Sequence, residues 1–273
     1  MSGPRKPRGL TVYAIAYLIF LYAPIILLPM FAFNASTIIA FPLQGFTTEW
    51  FVRLTGVQAL HTAVRTSLFI AVVSAILATI LGMCAARAGT RYEFPGKGGI
   101  LGLIMLPLVL PEIIVAVSLL VVVVQILQFP LSAWTVIMAH TLICTPFCIA
   151  ILNSSFQNLD ASLEEAAIDL GESRWNAFRL VTLPLVTPGI IASLLISFTI
   201  SLDEFIIAFF LTGSEPTLPV YIWGLLRFPQ QLPVVMALGT ILVALSILLL
   251  IVAEYFRRRG VRRAGKTETG GFL

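Results

Sequence analysis

Glu112, Asp203 and Glu204 are carboxylates set inside long hydrophobic stretches, "LPLVLPEIIVAVSLL" and "SFTISLDEFIIAFFLTG". An ionisable side chain at the centre of a bilayer costs on the order of 2.5 to 3.5 kcal/mol on insertion scales, so it marks a wet cavity, a protein interior or an ion relay. Acids so placed suit a path for a cationic amine, and equally suit pairing with Arg65, Arg227 or a partner chain. A second group, Glu164, Glu165 and Asp169 in "SLEEAAIDLG", lies between hydrophobic stretches. There Ser162 followed three residues on by Glu165 predicts a capping box with a helix from Leu163, and Gly171 suits its left-handed stop. A second start is expected at Ser173, and Leu183-Pro184 opens the next hydrophobic run.

Other chemistry finds little support. The sequence has neither the H-E-x-x-H of a zinc protease nor the G-x-S-x-G of a serine hydrolase. Gly96-Lys97-Gly98 lacks the earlier glycine and the hydroxyl residue of a phosphate-binding loop. His61 and His140 are far apart, and His140 in "WTVIMAHTLICTP" reads as a hydrogen-bonded interior histidine. Cys84, Cys144 and Cys148 fall within hydrophobic windows, where a thiol behaves as a small apolar side chain. No enzyme and no metal site is expected.

The elements that must position these residues are membrane helices. Hydrophobic residues make up 59% of the 273 positions and charged ones 11%, against roughly 45–50% and 25% in soluble domains. A hydrocarbon core about 30 Å thick needs ~20 apolar helical residues. Six windows meet that length, at about 10–33, 63–86, 99–127, 131–152, 183–211 and 234–255. An all-α membrane protein with six transmembrane helices is therefore expected, with a bend in the third at Pro107 and Pro111. Its parts are an N-terminal segment 1–9, a permease domain 10–256 with a loop at about 159–180, and a basic tail 257–273.

Cytoplasmic loops collect Lys and Arg. With both termini in the cytoplasm, all but three of the 17 basic residues (Arg53, Arg65 and Arg227) fall on that side. The net charge of +4 then reflects topology, and the tail reads as an anchor to anionic lipid rather than a nucleic-acid site. Helix 5, rising 1.5 Å per residue, carries Asp203 and Glu204 toward the outer leaflet. Neighbours point about 100° apart, so Asp203 is assigned to the path and Glu204 to a contact between helices.

From Glu165 the loop reads Glu165-Ala166-Ala167, three residues, Gly171, nine residues, Val181, one residue, Leu183-Pro184. This resembles the "EAA" signature of the membrane subunits of ABC importers, with Val181 where isoleucine is usual. The stretches in helices 3 and 5, with "WTVIMAH" in helix 4, look like a spermidine/putrescine-type permease. The resemblance implies the type I importer fold and a coupling role toward the ATPase for Glu164, Glu165, Ala166, Ala167, Asp169, Gly171, Leu183 and Pro184. It implies two ATPase subunits that bind ATP and magnesium in place of this chain, a second and different permease subunit, and a periplasmic or extracellular solute-binding protein. The location implied is the bacterial cytoplasmic membrane. Permeases for γ-aminobutyrate, opines or aminophosphonates share these stretches, and an ion-coupled secondary transporter using Glu112, Asp203 and Glu204 is the rival class.

Overall fold

In lipid every backbone N–H and C=O must be satisfied within the chain, and sustained apolar runs meet that demand as helices. The computed structural model describes residues 8–263; Arg5 and Lys6 of segment 1–9, and most of the tail 257–273, lie outside the described residues. The described chain runs α1 (Arg8–Ala32), α2 (Glu49–Thr55), α3 (Gln58–Arg91), α4 (Lys97–Met105), α5 (Glu112–Val121), α6 (Ala133–Gln157), α7 (Ala161–Asp169), α8 (Arg174–Ala177), α9 (Leu183–Asp203), α10 (Ile206–Leu211), α11 (Leu218–Leu225) and α12 (Leu232–Arg263).

Five helical runs among the described residues are long and apolar enough to cross a membrane: Gly9–Ala32, Gln58–Arg91, Ala133–Gln157, Arg174–Asp203 and Pro229–Leu248. The third window is different. It forms two arms, Lys97–Leu108 and Glu112–Ile126, that meet at 105°. Pro107 lies in a tight turn, Leu106–Leu108, and Pro111 precedes the second arm, so missing N–H donors interrupt the ladder twice within five residues. Each arm is roughly 18–22 Å long at 1.5 Å per residue, short of a 30 Å core. The expected bend is present, but the six single spans become five with one bent pair.

The fifth window also breaks. It runs unbroken from Arg174 through a π-helical turn, Phe178–Thr182, into α9, then stops at Asp203. Glu204 is extended and α10 resumes two residues later.

The chain packs as two compact units, Gln58–Tyr221 and the segments flanking it. In the flanking unit α1 and α2 both pack against α12. Asn34 is buried there; its side-chain oxygen accepts the Gln44 amide at 2.8 Å, and its carbonyl accepts the Trp50 indole N–H at 2.8 Å.

In the central unit α3, α6 and α9 pack into a bundle, α9 running opposite to the other two. Lipid gives no hydrophobic drive between helices, so association depends on close packing and polar contacts. The seam is built accordingly. Ser74 donates to the Ile137 carbonyl at 3.3 Å, the Cys148 sulfur lies 2.9 Å from Ser197 Oγ, and His140 Nδ1 lies 2.7 Å from Ser201 Oγ. Gly82 of α3 meets Cys148 of α6 with no room for a Cβ. His140 is thus fully buried in the helix seam, and Cys144 and Cys148 are free thiols there.

Candidate functional site

The loop between α6 and α9 is a capped helix, a glycine turn and a second helical start. Asp160 caps α7, its carboxylate accepting the Ser162 amide at 3.0 Å. That hydrogen bond holds the Asp160 carboxyl below its ordinary value of 3.8. The expected capping box between Ser162 and Glu165 is not formed, because Ser162 is already inside the first turn and the cap lies two residues earlier. The stop is as expected: Gly171 has φ +93, its amide reaches the Ile168 carbonyl at 2.9 Å, and the Glu172 amide reaches Ala167 at 3.1 Å. These two bonds make a Schellman motif. Ser173 then caps α8, accepting the Asn176 amide at 3.2 Å.

The two glutamates of α7 face different ways. Glu164 is mostly buried, with Oε1 on the Arg87 guanidinium at 2.5 Å and Oε2 accepting the Thr182 hydroxyl at 3.2 Å. Glu165 is exposed, as are Ala166 and Asp169, while Ala167 is half-buried. Leu163, Ile168 and Leu170 leave an apolar surface open, Leu170 at 87% exposure, and Trp175 of α8 adds to it at 68%. Exposed Leu and Trp side chains beside the exposed Glu165 and Asp169 are a composition that a protein contact can use. Leu183 and Pro184 sit at the start of α9 and join the loop to the bundle.

The membrane acids lie at two breaks in helical structure. Glu112 is exposed in the first turn of α5, at the bend. Asp203 is the exposed last residue of α9, and no hydrogen bond or ion pair involves it among the described residues. Glu204 is buried, and its Oε1 accepts the Ile207 amide at 2.8 Å. Its side chain thereby satisfies a first-turn amide of α10 from the residue just ahead of that helix's N-cap, Phe205. Packing of α5 on α10 brings Glu112 within electrostatic reach of Glu204. Neither Arg65 nor Arg227 pairs with any of the three. Arg65 instead lines a hollow of about 470 Å³ with Gln58, His61 and Glu215, at the start of α3 and so at the opposite end of that helix from Arg87.

One string went unread in the sequence. Gly260-Val-Arg-Arg-Ala-Gly-Lys-Thr267 has the spacing of a phosphate-binding loop. Its first four residues are the last turn of α12, and the rest lie outside the described residues. A phosphate cradle needs a strand ahead of its glycine-rich loop, and what precedes this string is the helix α12.

Comparison with known proteins decides the family. Residues 78–262 match the family of binding-protein-dependent transport system inner membrane components. The chain belongs to this family. The match runs from within α3 nearly to the end of α12, so this inner membrane component carries the family pattern across the α3–α6–α9 bundle and the loop. It is 36% identical over 240 residues to the spermidine/putrescine transport system permease protein PotC of Escherichia coli K12, covering 88% of this chain and 90% of that one. It is 33% identical over 266 residues to the putrescine transport system permease protein PotI of the same strain, covering 95% and 94%. Its fold is similar to a bacterial ABC transporter involved in the import of alginate, with TM-score 0.73 at 17% identity, over 94% of this chain and 98% of that chain. The component is a membrane-embedded transport subunit, and a self-contained ion-coupled carrier does not fit a binding-protein-dependent family.

Proposed function

We propose that the chain is one of two different permease subunits of an ATP-driven importer that brings a polyamine such as spermidine or putrescine across the bacterial cytoplasmic membrane. The observation that carries the solute class is the likeness to PotC and PotI along nearly the whole of all three chains. The exposed Asp203 and Glu112, anionic and set at breaks in helical structure, support a path for a cation. In this reading both termini and α7 lie in the cytoplasm, and a binding protein delivers solute at the other face. Two ATPase subunits hold ATP and magnesium, and one of them seats on Glu165, Ala166 and Leu170. The spread of Lys and Arg supports that orientation.

Uptake of labelled spermidine and putrescine should be measured in cells carrying the permease with its partner subunits and binding protein. Polyamine uptake that disappears when the ATPase is inactivated supports the reading. Uptake of γ-aminobutyrate with none of either polyamine would replace the solute class. The coupling role has its own test. Ala166 is exposed and small, so Ala166→Trp should block a closely seated partner, leaving the permease inserted while ATPase subunits are lost on purification or hydrolyse ATP without import.

A further inference from the structure

Within the loop, Glu164 does not share the outward direction of Glu165, and its surroundings indicate a separate task. We propose that Arg87 and Arg91 at the end of α3 clamp α7 through Glu164 and the Leu159 carbonyl, so that α7 moves as one piece with α3 and α9 rather than swinging on its loop. This rests on the reading of α7 as the helix that meets the ATPase, and it makes Glu164 a positioning residue, not a contact for that partner.

The geometry converges from several directions. Arg87 Nη2 donates to Glu164 at 2.5 Å, and its guanidinium carbon stands 4.2 Å over the centre of the Phe178 ring in the π-helical turn before α9. The second carboxylate oxygen of Glu164 takes the hydroxyl of Thr182 in that same turn. Arg91, one helical turn beyond Arg87, donates to the carbonyl of Leu159, just ahead of the Asp160 cap. Start and first turn of α7 are thereby tied to α3 and to the root of α9 at once.

Such ties are needed because α7 has nine residues, and helices below about 12–15 residues are marginal on their own. Its exposed face, which mixes Leu163 and Ile168 with Glu165 and Asp169, is left uncovered by the other described residues. Tertiary contacts must hold it, and the contacts available are these. The pair is screened weakly because the two side chains are only 20% and 16% exposed. Removing one partner leaves a buried uncompensated charge, so the tie resists being opened by a push on the outer face. A displacement of the ATPase would then pass to α3 and α9 without being absorbed in the loop.

The test compares Glu164→Gln, Arg87→Ala, Arg87→Lys and the exchanged pair Arg87→Glu with Glu164→Arg, each in the complete transporter. The readout is solute imported per ATP hydrolysed at equal amounts of assembled complex, a ratio that lower stability alone would not change. Glu164→Gln and Arg87→Ala should retain ATPase subunits and hydrolysis while the ratio falls by about tenfold. Arg87→Lys and the exchanged pair should recover part of it. Wild-type ratios in both single variants would overturn the clamp.

If the single variants fail to assemble, Arg87→Cys with Glu164→Cys in a Cys84→Ser background, bridged by a short bis-maleimide, replaces them. A bridged complex that imports normally supports joint motion, and one that hydrolyses ATP but cannot import overturns it. Ala166→Trp separates the two readings. If it leaves ATPase retention and uptake intact, the coupling role of α7 fails; if it uncouples while the Arg87 and Glu164 variants do not, only the clamp fails.

Discussion

The Glu204 carboxylate accepts the amide of Ile207 at 2.8 Å, across the point where one hydrophobic run stops being one helix. An acid in that place supplies what the break removes: an acceptor for a buried donor at the start of α10. Glu204→Gln keeps an acceptor oxygen and should be tolerated. Glu204→Ala leaves the Ile207 amide unpaired and should cost about 1 kcal/mol or more. The check is thermal unfolding of the purified complex, where each kcal/mol corresponds to about 2–4 °C in a domain of this size.

Asp203, its neighbour, is exposed and unpaired, so its removal tests the path and not the fold. Asp203→Asn should leave assembly, melting temperature and basal ATP hydrolysis unchanged while weakening uptake of a cationic solute by about tenfold, the scale of one lost charge interaction of 1–2 kcal/mol. Uptake equal to that of the unmodified protein would remove Asp203 from the path.

Features whose causes are local were legible in the sequence. Apolar runs of membrane length mark the spans, and Gly171 with Ser173 mark the turn inside the loop, because a positive φ and a free helix amide each restrict the residue allowed. The α7 cap was misread since Asp160 and Ser162 both satisfy the same local rule, and only the backbone direction chooses between them. The break at Glu204 was invisible to hydropathy, which is unbroken across 183–211; adjacent acids were the only sign. Two prolines announced a bend, but its 105° angle depends on how α5 packs on α10. The partner of Glu164 lies 77 positions away, and no spacing rule reaches that far.

Close approach of α3 and α6 makes a third expectation. A Cβ on Gly82 would collide with the side chain and backbone of Cys148. Gly82→Val should overpack the seam and destabilise the subunit by about 1–3 kcal/mol. Cys148→Gly in the same chain should recover part of the loss, since it removes the atom met first. Thermal unfolding of single and double variants checks this, and additive losses would mean that the two positions do not touch.

Gly171 offers the sharpest test of the loop, because its strain separates from crowding. It holds φ +93 with nothing near the position a Cβ would take, so a side chain there meets a conformational cost alone. That cost is roughly 1–2 kcal/mol for an ordinary residue and larger for a β-branched one. Relief comes by turning the chain out of the left-handed region, which breaks the bonds from Gly171 to Ile168 and from Glu172 to Ala167 and swings Leu170 and Trp175 away from α7. Gly96 is the matched control, having φ +77 and equally open space at the start of α4. Gly96→Val and Gly171→Val should therefore lower stability to a similar degree. Only Gly171→Val should reduce solute imported per ATP hydrolysed, or release ATPase subunits on purification. Equal effects of the two variants on that ratio would mean that the turn at Gly171 shapes the fold without aligning the surface proposed to meet the ATPase.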